Sequence, residues 1–179
     1  MLDELIVTET PPLSYCYGRF GEQRCVPIIG ARSKRIVPGA LNIATGDIAL
    51  LITHDWTQFY HQAFLDMIRA KWRGWSIVLF QDRGAPHTAM SSRRHLCQLD
   101  IEVRWLPRAT PELNAVDHLW RHAKAATLAN APIRPIADPA LVFCEYIINL
   151  SPHERLLQAG ALAPDFWLAR KTSVCNSFL

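Results

Sequence analysis

A mixed β-sheet with helices packed on its faces is the fold class this sequence predicts, on three observations. β-branched runs separated by turn signals occupy the first fifty or so residues. A nearly continuous apolar strand, a helical segment and another strand follow, and helices close the chain. Hairpins feeding a strand–helix–strand unit imply a sheet with both antiparallel and parallel pairs, an α/β architecture. With 179 residues, half of them apolar and a fifth charged, the chain has the size and composition of one domain around one core.

The elements can be justified in order. "LDELIVT", residues 2–8, reads as a strand; "RCVPIIG", "KRIVPGALNI" and "GDIALLIT" follow as strands, with Gly46 and Asp47 as the turn between the last two. The period then switches to a helix over residues 55–72. Phe59, Tyr60, Ala63, Phe64, Met67, Ile68 and Trp72 make one face, and Asp55 with Gln58 resembles a capping box. "WSIVLFQD" suits a strand buried on both faces, ending at Asp82. A helix over 88–98, the strand "IEVRWLP" and a helix over 114–130 come next. A helix begins near Ala140, and "SPHERLLQAG" opens the last one, with Ser151 as cap, Pro152 in the first turn and Glu154 completing the box.

Composition limits the function classes. The net charge of +3 permits nucleic-acid binding without arguing for it. Five widely spaced cysteines, odd in number and without a CxxC pair, indicate reduced thiols rather than a disulfide frame or a zinc site. No leader-like terminus or membrane-length apolar run is present, so a soluble, cytoplasmic protein is expected.

Three aspartates carry the functional reading. Asp82 ends a strand, where ligands gather in open α/β sheets, although a turn-capping aspartate would look the same. Asp117 lies in the first turn of a helix whose N-cap is Asn114. The helix dipole and Arg121, four residues on, could account for it, yet it borders the buried stripe of Val116, Leu119, Trp120 and Ala123. Asp3 stands in the first strand beside Glu4. Converging over one side of the sheet, three carboxylates would repel one another unless cations lay between them, and oxygen-only ligands suit Mg²⁺ or Mn²⁺.

"LPRATPELNAVDHLWRHAK" resembles the signature LP-x-x-S/T-P-x-LNP-x-E/D-x-x-W-x-x-x-K of bacterial insertion-sequence transposases in the Tc/mariner superfamily. "FQDRGAPH" is similar to the D-N-x-x-x-H segment of that family, "LDE" to its first catalytic aspartate, and "GALNIATGD" to its glycine-rich hairpin. Thirty-four residues lie between Asp82 and Asp117, the spacing the superfamily uses. "RLLQAGALAPDFWL" is a weaker echo near the end. Ala115 stands where the family has proline, Arg83 where it has asparagine, and Asp117 where many relatives have glutamate.

The resemblance implies an RNase H-like fold, with a mixed five-stranded sheet flanked by helices, and a single catalytic domain over residues 1–179. It makes Asp3, Asp82 and Asp117 the catalytic, metal-binding triad for two Mg²⁺ or Mn²⁺ ions, with His87, Asn114 and Glu4 behind them. The implied partner is double-stranded DNA, both transposon ends and target, acted on by a homodimer of a bacterial, nucleoid-associated protein. Arg32, Lys34, Arg35, Arg83, Arg108, Arg121 and Lys124 are candidates for contacts to the DNA backbone. The family's N-terminal helix-turn-helix region is expected to lie outside this chain, as a separately encoded half.

Other readings remain open on the residues. One is a non-catalytic transposase remnant that regulates by binding DNA or intact transposase, and another is a different RNase H-like nuclease, such as a resolvase. His118 and His122, at i and i+4, could face a zinc ion, but the glutamate of the metalloprotease motif is missing between them. Most of the six tryptophans suit core positions better than base stacking.

Overall fold

The structure is a computed structural model describing residues 1–22, 25–26, 33–131 and 137–168. Five strands and six α-helices are described: β1 Leu2–Thr8, β2 Lys34–Leu41, β3 Ile48–Leu50, α1 Gln58–Lys71, β4 Ile77–Gln81, α2 Ala85–Thr88, α3 Met90–Gln98, β5 Ile101–Trp105, α4 Ala115–Thr127, α5 Ala137–Asn149 and α6 Pro152–Gln158. The hydrogen-bonded strands fall into two sheets. In the first, β1, β2 and β3 run antiparallel, with Asp3 opposite Gly39. In the second, β4 and β5 run parallel, with Gln81 opposite Trp105.

Alternation along β1 and β2 divides the core. Leu5, Val7, Val37 and Leu41 pack against Val116, Leu119, Trp120 and Ala123 of α4 and against Phe143 and Ile147 of α5. Leu2 and Ala40 face the other way, toward Phe64, Leu65 and Ile68 of α1, Leu79 of β4, Leu96 of α3 and Ile101 of β5. By the same alternation Asp3 belongs to the α4 side and Glu4 to the α1 side.

Gly39 decides how closely α4 can approach. The Trp120 indole lies over it, and any side chain at residue 39 would overlap the ring. Trp120 is buried and meets Phe143 at a ring-centroid distance of 5.4 Å. Because residues three apart on a helix share a face, seating Trp120 on Gly39 brings Asp117 to the residue opposite Gly39, which is Asp3.

Several local expectations are corrected. α1 begins at Gln58 with Thr57 as N-cap and no side-chain capping bond, because the Asp55 carboxylate accepts from the next amide, Trp56 N, at 2.8 Å. Phe59 is 76% exposed, and the buried face of α1 is His61, Phe64, Leu65 and Ile68. β4 is fully buried on one face, at Leu79 and Gln81; on the other, Phe80 is half-buried against the α4 core and only Val78 is exposed. The helix expected over 88–98 is present as α3, starting at Met90, and a separate short helix, α2, precedes it, the two divided where Ala89 adopts an extended conformation. Of "RCVPIIG", Cys25 and Val26 are not in a strand, and the rest lies outside the described residues. The Ser151–Glu154 capping box of α6 forms as read. Among the described residues no helix is long and apolar enough to cross a membrane.

Candidate carboxylate cleft

Asn114 fixes the start of α4 in two directions. Its side-chain oxygen accepts from Val116 N at 3.2 Å, capping the helix, and its Nδ2 donates to the Leu2 carbonyl of β1 at 3.2 Å. A 3₁₀ turn over Pro111–Leu113 leads in, and Trp167 Nε1 holds it by donating to the Leu113 carbonyl at 2.9 Å. A side chain that is at once a helix cap and a strand partner ties Asp117 to Asp3 through a short, buried path. Ala109, on the rim, holds φ +55°, which costs a side-chain-bearing residue about 1–2 kcal/mol.

Asp3, Asp82 and Asp117 line one cleft with Asn114, Leu106, Pro107, Ala109, Thr110 and Pro111. The strand start, the strand end and the helix start are thus brought together. Burial, then the carboxylates of Glu4, Asp117 and Asp82, push the Asp3 carboxyl up to about 8. Burial likewise raises Glu4, whose Oε2 is buried without a hydrogen-bond partner among the described residues. Asp82 is different. The hydrogen bond from His87 lowers it, although burial opposes the shift.

The Asp82 carboxylate is held by His87 Nδ1 at 2.6 Å and by Gly84 N at 3.0 Å. His87 is 1% exposed. On its other nitrogen, Trp56 Nε1–H donates to Nε2 at 3.2 Å, and Glu4 Oε2 stands 3.5 Å from the same atom. Accepting from Trp56 requires a lone pair on Nε2, so the proton sits on Nδ1 and points at Asp82. Burial opposes charge on this ring, but the bond to Asp82 and the Glu4 and Asp82 carboxylates outweigh it and raise His87 above its ordinary value. Taking up a second proton would break the Trp56 bond and turn Nε2 toward Glu4. Behind His87 lies His61, fully buried, its ring centroid 4.7 Å away and its Nε2 3.2 Å from Gln81 Oε1. Burial, then His87, push His61 down to about 4.

The donor set fits a hard divalent cation, being all oxygen and mutually repulsive. As the side chains stand, no three His, Cys, Asp or Glu among the described residues are grouped as ligands of one ion. The reason is visible in their partners. Asp82 is drawn to His87 and Gly84, and Asp117 Oδ2 accepts from Arg121 Nη2 at 2.8 Å. Asp117 Oδ1 accepts no bond among the described residues and can meet an ion as it stands, whereas bringing Oδ2 to one exchanges Arg121 for the ion. His118 Nε2 lies 3.1 Å from the Glu112 carbonyl.

The basic candidates scatter. Arg83 follows Asp82 directly, and Arg108 is exposed within the loop that rims the cleft. Arg35 and Lys34 stand four and five residues along β2 from Gly39, some ~13–17 Å away in an extended strand. Arg121 is engaged by Asp117, Lys124 lies two turns along α4 from Asp117, and Arg32 lies outside the described residues. Sequence reasoning missed Trp56, His61, Gln81 and Gly39. Only Gly39 left a signal, since glycine inside a strand marks close approach of a neighbour.

Residues 1–138 match the family described as DDE superfamily endonuclease. The chain belongs to that family. Among solved structures, the Mos1 transposase paired-end complex with left transposon end aligns with a TM-score of 0.71 at 18% identity, covering 96% of this chain and 54% of that one. The mariner Mos1 paired end complex with Mg gives 0.71 at 19% identity over the same shares. The catalytic domain of Mos1 mariner transposase gives 0.61 at 18% identity, covering 79% and 74%. At these identities the likeness is one of fold. This DDE-family chain spans about half the length of the Mos1 chains in the paired-end complexes. No curated protein matches it with significance.

Proposed function

We propose that this chain is the catalytic domain of a transposase of the Tc/mariner kind, of bacterial insertion-sequence type, cutting phosphodiester bonds at transposon ends and joining them to target DNA. The observation that carries the reading is the single cleft lined by Asp3, Asp82 and Asp117. The family match and the fold it shares with transposase–DNA complexes support it. β1 and β4 approach one another, which supports one RNase H-like surface of five strands, with the cleft where β1, β4 and α4 meet.

In this reading Asp3, Asp82 and Asp117 hold two divalent cations, Mg²⁺ or Mn²⁺, in keeping with Mos1 complexes solved with either metal. Such a pair, when bound, activates the attacking oxygen and stabilises the leaving one. The chain's own residues prepare the site. His87 orients Asp82 through Nδ1–H, Asn114 keeps α4 against β1, and the exposed Arg83 and Arg108 hold the DNA backbone beside the cleft. The chemistry is displacement at phosphorus. Water attacks and a 3′-oxygen leaves; the freed 3′-hydroxyl then attacks target DNA in the same geometry. Where Asp117 ligates through Oδ2, it leaves Arg121 and frees that guanidinium for a phosphate. Working as a homodimer and drawing on a DNA-binding region outside this chain both follow from the family reading.

The test is nicking of duplex DNA carrying the native element ends in Mn²⁺, comparing wild type with Asp82→Asn and Asp117→Asn. Both variants should fall by more than the ~10- to 100-fold that losing a group behind a metal ligand costs. Unchanged nicking in both would refute the proposal.

A further inference from the structure

A second cavity, of about 230 Å³, is lined by Arg83, Thr88, Arg93 and Trp105. It shares strand ends with the carboxylate cleft. Asp82 and Leu106 line the cleft, whereas their chain neighbours Arg83 and Trp105 line this cavity. Leu106 N donates to the Gln81 carbonyl at 2.9 Å and continues the β4–β5 pairing, so successive residues there face opposite sides. A DNA strand crossing the ends of β4 and β5 meets both hollows in turn.

The lining carries unpaired positive charge. Several arginines on this molecule are engaged: Arg69 with the carbonyls of Trp72 and Trp75, Arg104 with Glu102, Arg121 with Asp117, and Arg155 with the carbonyls of Gly46, Ile147 and Ile148. Among the described residues no carboxylate pairs with Arg83 or Arg93. Two free guanidiniums beside one hollow call for an anion, and the guanidinium fork matches a phosphate. The indole adds a flat apolar surface that a lone phosphate would not use. An acidic peptide would satisfy the arginines but sets no ring on the tryptophan. A base can, because every base has a π-face. Bases inside a duplex are stacked on one another, so the base concerned must be unpaired.

We propose that this cavity holds one unpaired nucleotide of the DNA strand being processed, its base against Trp105 and its phosphate between Arg83 and Arg93. Thr88 Oγ, which donates to the Gly84 carbonyl at 3.1 Å, keeps lone pairs free to accept from a base edge. The proposal rests on the DNA reading above and adds to it a single-strand subsite next to Asp82. Holding a nucleotide there would draw the adjoining phosphate over the cleft and keep the duplex end open.

The experiment compares two duplex oligonucleotides in metal-free buffer, one blunt and one carrying a single unpaired terminal 2-aminopurine. The expected result is quenched 2-aminopurine fluorescence and about tenfold tighter binding of the overhanging duplex, the low end of what one base on one aromatic ring supplies. In Arg93→Ala and Trp105→Ala the ratio of the two affinities should fall toward one. Arg93 is exposed and its replacement leaves the fold intact, so Arg93→Ala decides even if Trp105→Ala does not fold. Equal binding of both duplexes by wild type, or a ratio unchanged in Arg93→Ala, would overturn the subsite and leave the DNA reading standing. Binding to neither duplex would overturn the subsite as well.

Discussion

His87 has one nitrogen on Asp82 and the other under Trp56, and that division makes Trp56 a positioning residue. Without the indole N–H, Nε2 is free to carry the proton and face Glu4, and Nδ1 then has no hydrogen to give Asp82. Trp56→Phe keeps the edge-on ring contacts with His61, Phe64 and His87 while removing that donor. The variant should fold, shift the imidazole ¹⁵N signals of His87 toward the Nε2–H tautomer, and lose about 10-fold in metal affinity. An unchanged tautomer would show that Asp82 alone sets the proton.

Asp3 gives a pH dependence with a definite sign. Its folded value of about 8 lies above the unfolded 3.8, so between those values the folded chain binds more protons, and its contribution to stability falls as pH rises. His61, at about 4 folded against 6.5 unfolded, works oppositely below 6.5, where the fold loses stability as pH falls. Between pH 6.5 and 8 that opposition is gone, and the buried Met1 amine, lowered to about 5, opposes alike in wild type and variant and cancels in their difference. In metal-free buffer the Tm of Asp3→Asn should therefore gain on wild type across that window. A constant difference would mean that Asp3 is not held protonated by its neighbours.

At the scale of elements, the site depends on α4 meeting the sheet at one depth. Trp120 over Gly39 sets that depth and Asn114 sets the position along the helix axis. Gly39→Ala drives a methyl into the indole, and the ring is packed against Phe143 and cannot move freely. The expected cost is about 1–3 kcal/mol of stability, as for overpacked cores, read as a lower denaturant midpoint with an unchanged slope. Loss of nicking should accompany it, because Asp117 rides on the same helix. Full stability in Gly39→Ala would mean that α4 docks by other contacts. Helix α4 also explains why its first turn reads ambiguously in sequence. Asp117 does make the i, i+4 pair with Arg121 that an ordinary surface residue would make, and that pair is also what holds it when no ion does.

For the whole molecule, what was legible depended on range along the chain. β1, the β2–β3 hairpin, the parallel β4–β5 unit and α4 with its Asn114 cap carry their own local periodicity and caps, and were readable for that reason. The meeting of Asp3, Asp82 and Asp117 was readable only through spacing and motif, since residues so far apart in the chain leave no local trace of their contact. Trp56 and His61 were not readable. One sits just before a helix and the other on its inner face, where a histidine looks like any misplaced polar residue until His87 is seen beside it. Phe59 misled in the opposite direction, because helical spacing says which residues share a face but not which face turns inward.

The most direct test of the central claim is where Mn²⁺ binds, read by anomalous scattering from crystals of the chain soaked in the ion at neutral pH. The account predicts density in the cleft between Asp3, Asp82 and Asp117, with His87 still on Asp82. Density only elsewhere, for instance beside His118 and His122, or a cleft still empty at saturating Mn²⁺, would contradict it.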